Sequence, residues 1–168
     1  MRQRILLSLA AVICGFGLLA GCGGGQQAFL SFKVPDESQS AKLGMSRDDI
    51  YSRLLLHYFP IPEKDSGVSL KWADANTHDN CTAVITIGTY IQAGAGLSLN
   101  NAMADVLPLY QKDAEVQVLT NEPAKIVLGK QLDGVHYTIA VRGYADGAIK
   151  SITVYNADLY TDNDADYQ

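Results

Sequence analysis

The chain reads as an α+β protein: two halves, each a helix followed by an antiparallel hairpin or meander, packed together behind a leader that is cut away. Three features point there. Apolar residues recur at helical spacing in two places, around residues 46–58 and 101–110, and each place is followed by short runs that alternate apolar and polar. Asp133-Gly134 and Asp146-Gly147 separate such runs as hairpin turns would. Local helices and hairpins dominate the order, which favours an antiparallel sheet.

The leader is "MRQRILLSLAAVICGFGLLAGC". Arg2 and Arg4 precede an uncharged run from Ile5 to Ala20. As a helix that run is ~24 Å long, short for a ~30 Å hydrocarbon core. Charge order, apolar run and the small residues Ala20 and Gly21 describe a secretory signal peptide over 1–21. Leu19-Ala20-Gly21-Cys22 resembles the bacterial lipoprotein box. The resemblance implies fatty acyl chains of the palmitate type on Cys22, with cleavage leaving Cys22 first. Two or more chains anchor stably where one does not. Residues 22–28, with Gly23, Gly24 and Gly25, then form a tether with a span of roughly 15 Å. The expected location is the extracytoplasmic face of the cell membrane, or an outer membrane if the cell has one. Gly23 is not the Asp that this family uses for inner-membrane retention.

All 18 acidic residues but only 11 of the 13 basic ones follow Gly21, so removing the leader takes the net charge from −5 to −7. An acidic body without a Lys/Arg cluster argues against nucleic acid and against anionic lipid as partners. Cys14 lies in the leader and Cys22 carries the lipid, so Cys81 has no partner for a disulfide within the mature chain. It reads as a small apolar residue at a strand start.

The first half spans 29–92. "AFLSFKV" (28–34) reads as a strand. Ser46 with Asp49 marks a helix start, Asp48 and Asp49 suit the positive end of its dipole, and Ile50, Leu54 and Tyr58 form its inward face. Pro60 and Pro62 end it. Val68, Leu70 and Trp72, then Ala83, Ile85 and Ile87, predict a hairpin with one buried face. The second half spans 93–157. Asn101 caps a helix whose apolar face is Met103, Val106, Leu107 and Tyr110; Pro108 inside it predicts a short or kinked helix. Residues 125–156 read as three strands. Residues 158–168 form an acidic tail read as mostly disordered.

Gly44-Met45-Ser46-Arg47-Asp48-Asp49-Ile50 resembles the opening of the SmpA/OmlA outer-membrane lipoprotein domain. The tandem layout is similar to the beta-lactamase-inhibitor-protein fold, built from two α-plus-sheet repeats. It is also similar to small lipoproteins of Gram-positive bacteria with a G-[IL]-x-[LV]-G-x-[ST] motif, a pattern that Gly96-Leu97-Ser98-Leu99, with Val106 and Tyr110, fits apart from Asn100, Ala102 and Pro108. The resemblance implies a fold and a habit of binding other proteins. It carries over no catalytic residue.

The densest polar stretch is "DANTHDNC" (74–81). Asp74, Asn76 and His78 alternate like the first ligands of an EF-hand loop, making them weak metal candidates. Asp79 then stands where glycine is needed and Ile85 where the bidentate Glu belongs, so the stretch reads as a polar turn. His78 and Cys81 are too few to make a zinc site. His57 and His136 lie far apart in sequence. No nucleophile motif and no cofactor loop stands out. The expectation is a membrane-anchored, non-catalytic module that binds a protein partner or assembles into an envelope complex, with no cofactor. The alternatives are a solute- or metal-binding lipoprotein using the 74–81 turn and a hydrolase whose residues the sequence does not single out. A deep cleft with convergent titratable groups would favour an enzyme; a flat or concave sheet face with exposed aromatics would favour protein binding.

Overall fold

The computed structural model describes residues 29–54 and 67–163. The leader, Cys22 and its tether, His57, Tyr58, Pro60, Pro62 and residues 164–168 lie outside that range. The fold is α+β, with two antiparallel sheets and two short helices among the described residues. The strands are β1 (Ser31–Lys33), β2 (Ala41–Lys42), β3 (Val68–Trp72), β4 (Cys81–Thr86), β5 (Gln92–Ala93), β6 (Gln117–Glu122), β7 (Lys125–Leu132), β8 (Val135–Gly143) and β9 (Ile149–Asn156). The helices are α1 (Arg47–Arg53) and α2 (Val106–Tyr110), the latter entered through a 3-10 turn at Met103–Asp105.

The helix start at Ser46 is as the sequence predicts. Ser46 Oγ accepts from the Asp49 N–H at 3.3 Å and donates to Asp49 Oδ2 at 2.8 Å. The preceding Gly44 has φ +87°, a backbone state that costs other residues a Cβ clash. That turn lets the chain dock on the start of β4. The Gly44 N–H donates to the Cys81 carbonyl and the Cys81 N–H donates to the Met45 carbonyl, both at 2.9 Å. Ile50 and Leu54 are fully buried. In α2, Pro108 is the third residue, where its missing N–H has no intrahelical acceptor to lose. The helix is short, as expected. Asn101 does not cap it: Asn101 Oδ1 accepts from the Ser98 N–H (2.9 Å), and Asp105 Oδ2 reaches back to the Ala102 N–H (2.9 Å) instead.

The larger sheet has the order β3-β4-β9-β8-β7-β6, so strands from both halves of the chain lie in one sheet; the smaller is β2-β1-β5. Ile50, Leu54, Val106 and Tyr110 share one core with Val84, Ile152, Val154, Ile139, Val141 and Leu128 from one face of the larger sheet. Asp133 (φ 51°) and Gly134 (φ 82°) make the tight β7–β8 turn that an Asp-Gly pair suits.

Three further expectations need correction. In the β3–β4 hairpin, Leu70 lies opposite Val84 and Val68 opposite Thr86, so Val84 and Thr86, not Ala83 and Ile85, accompany the buried face of β3. A register shift at Lys71/Trp72 separates the alternation near the turn from that along the strand. Being central, β4 is buried on both faces, while Ile87 lies past its end and is 56% exposed. The first strand is shorter than 28–34. The acidic end, read as solvated from Asp158, is docked on the sheet as far as it is described.

Candidate functional site

The 74–81 turn is a built connection. Asp74 Oδ1 accepts from the backbone N–H of Asn76 (2.7 Å) and of Thr77 (3.4 Å), a turn-forming use of the carboxylate. His78 has φ 53° and Asn80 φ 56°, left-handed positions that bend the loop back. The His78 carbonyl accepts from the Arg47 N–H at 3.0 Å, and its ring meets Trp72 edge to face at 5.7 Å. The loop thus caps the start of α1. Among the described residues, no group of three or more His, Cys, Asp or Glu side chains is placed to hold a metal ion. Cys81 is buried as the first residue of β4, and its Sγ lies 3.5 Å from the Ala83 carbonyl.

Past β9 the chain turns back across the face of the sheet that looks away from the helices. The Tyr160 N–H donates to the Asn156 carbonyl at 2.9 Å, and the Ala157 N–H to the His136 carbonyl at 2.8 Å. Asp158 accepts from the His136 backbone N–H (3.0 Å) and lies 3.1 Å from its Nδ1. Those hydrogen bonds, the backbone one foremost, hold the Asp158 carboxyl below its usual value. Asp162 Oδ2 meets Arg142 Nη2 at 2.7 Å, with the two side chains 7% and 9% exposed. A shallow cleft of about 350 Å³ remains beside this segment, walled by Thr120, Val127, Tyr155, Tyr160 and Thr161.

The other feature is the far edge of the sheet. Among the described residues β6 is its last strand and pairs with β7 alone, and five of its six residues are exposed. Val118 is 53% exposed and Leu119 57%. A register shift between Val118 and Thr120 leaves Leu119 without an opposite residue on β7. It leans over Gly129, where an added Cβ would come within 2.8 Å of its Cδ1. On the helix side of the same strand an apolar groove of about 280 Å³ runs between Leu107, Tyr110, Val116, Val118 and Leu128.

The groove's floor is braced by Lys130. Its side chain is buried, and its ammonium meets Asp113 Oδ2 and Glu115 Oε2, the latter at 3.1 Å. Burial alone would lower the Lys130 pKa; the two carboxylates outweigh it and hold the group above its usual value. This pairing ties the loop after α2 to the sheet and leaves the groove beside it apolar. Sequence reasoning did not find β6. The alternation of Val116, Val118 and Thr120 before Asn121-Glu122-Pro123 was its signal.

Compared with models of known protein families, with curated proteins and with solved structures, the chain matches none. Among the described residues, no helix is long and apolar enough to cross a membrane.

Proposed function

We propose that this protein is a lipoprotein of the bacterial cell envelope, held on the extracytoplasmic face of a membrane through lipid on Cys22, and that its folded part binds a protein partner without catalysing a reaction. The anchoring half of the reading rests on Leu19-Ala20-Gly21-Cys22 and the charge order before it. The observation that carries the binding half is the open edge at β6. A strand edge offers a row of backbone donors and acceptors, and here two large apolar side chains and an apolar groove lie beside it. Charges near the groove are paired with one another, so the surface offers apolar contact rather than a charged patch. The bulge at Leu119 twists the edge and works against open-ended stacking of identical chains.

The test is cross-linking in intact cells followed by purification of the anchored protein. The native chain and a Ser52→Lys control, altered on the exposed side of α1, should retain a discrete cross-linked partner. The double variant Val118→Lys/Leu119→Lys should lose it while keeping the native circular dichroism. Equal recovery from all three would overturn the assignment of binding to β6.

A further inference from the structure

We propose that the cleft beside the C-terminal segment is a binding site for a neutral carbohydrate, with one pyranose ring lying against Tyr155 and Tyr160. This site is on the opposite face of the sheet from the groove at β6 and is independent of the protein-binding reading. The inference starts from the corner that the two tyrosines make. Their ring centroids are 5.6 Å apart with planes at 68°, so one ring serves as a floor and the other as a wall. A pyranose has apolar C–H faces and a rim of hydroxyls, and such a corner covers a face and an edge of it together. The remaining walls suit the rim. Thr120 on β6 and Thr161 on the C-terminal segment both line the cleft, and each hydroxyl both donates and accepts.

Charge decides against ionic ligands. Asp162 is the carboxylate of the cleft, and it is held by Arg142 at 2.7 Å. Lys125 lies directly opposite Glu122 in the β6–β7 pairing. The cleft carboxylate is thus paired with Arg142, and Lys125 already makes a contact within the protein, so a charged ligand would have to compete with contacts already made. The volume, about 350 Å³, stands near the lower end of small-ligand sites, which run from roughly 300 Å³ upward. It suits one or two sugar rings rather than an extended chain. One side of the cleft is the docked C-terminal segment, anchored by the buried Arg142–Asp162 pair, so the site is assembled when that segment is seated.

The experiment is an amide chemical-shift titration of the full-length folded chain with glucose, N-acetylglucosamine and their β-1,4-linked disaccharides, with glucuronate as the charged comparison. Saturable shifts at Thr120, Val127, Tyr155, Tyr160 and Thr161 in the millimolar range are expected for a neutral sugar, with glucuronate weaker. Tyr160→Ala should weaken binding by about tenfold, a change of about 1.4 kcal/mol. Tyr144→Ala, an exposed tyrosine in the β8–β9 connection, should leave it unchanged. Thr120→Ala probes the sheet side of the cleft without touching the C-terminal segment, and it too should weaken binding. No saturable shift up to tens of millimolar of any neutral sugar would overturn the proposal. So would tighter binding of glucuronate, or binding that survives both Tyr160→Ala and Thr120→Ala undiminished.

Discussion

Replacing Asp162 by alanine separates a docked C-terminal segment from a solvated one. In the fold Asp162 lies 2.7 Å from the Arg142 guanidinium, and both side chains are more than nine-tenths buried. Removing the carboxylate leaves Arg142 buried without that counter-charge, and breaking a buried pair in this way costs about 3–5 kcal/mol. The chain has one route to a smaller loss: the segment can lift and let water reach Arg142. That gives up the Tyr155–Tyr160 contact, worth about 0.5–1.5 kcal/mol, and the exposed Asp158–His136 pair, worth little. The cheaper route sets the cost, so the expected loss is about 1–2.5 kcal/mol, from a total stability of ~5–15 kcal/mol. Urea unfolding of the mature-length chain, followed by circular dichroism, should show the midpoint falling with an unchanged slope. A change within about 0.5 kcal/mol, as for a surface carboxylate, would refute the docked segment and the cleft beside it.

Leu54→Ala should cost about 2–5 kcal/mol in the same assay, because Leu54 is fully buried in the shared core, while Ser52→Ala on the exposed side of α1 should stay within about 0.5 kcal/mol. Equal effects would mean that α1 is misplaced. The Asp158 carboxyl is held below its usual pKa, so its stabilising contribution is present above the ordinary value of 3.8 and lost as pH falls through the lowered one. In an NMR titration Asp158 should titrate below 3.8, and His136→Ala should raise its pKa only in part, since the backbone N–H is the larger cause. A full return to the ordinary value would show that the ring, not the backbone, holds it.

The readable parts of this fold are those decided by a few adjacent residues. Ser46 and Asp49 fix the start of α1 through their own hydrogen bonds, and Asp133-Gly134 fixes the β7–β8 turn through its backbone angles. The face of β4 was not readable by alternation. A register shift at Lys71/Trp72 changes which residues lie opposite one another, and a central strand shows no polar side to count from. β6 escaped for a related reason. Leu119 bulges between Val118 and Thr120, and an edge strand open to water shows little contrast between its faces. The docking of Asp162 depends on Arg142, twenty residues earlier, whose burial is a property of the assembled sheet. Acidic composition alone reads as solvated there. The candidate interface is likewise tertiary, because which strand ends a sheet is set by the order of pairing.

The folded part is proposed to work from a lipid anchor at Cys22. The direct measurement is the intact mass of the mature protein extracted from membranes with detergent, read with N-terminal fragmentation, for the native chain and for Cys22→Ala. The native chain should begin at Cys22, carry at least two acyl chains and partition into the detergent phase, and the Cys22→Ala variant should be neither lipidated nor retained on the membrane. A native protein without acyl mass, or a Cys22→Ala variant that matures and stays on the membrane like the native chain, would contradict the anchor at Cys22.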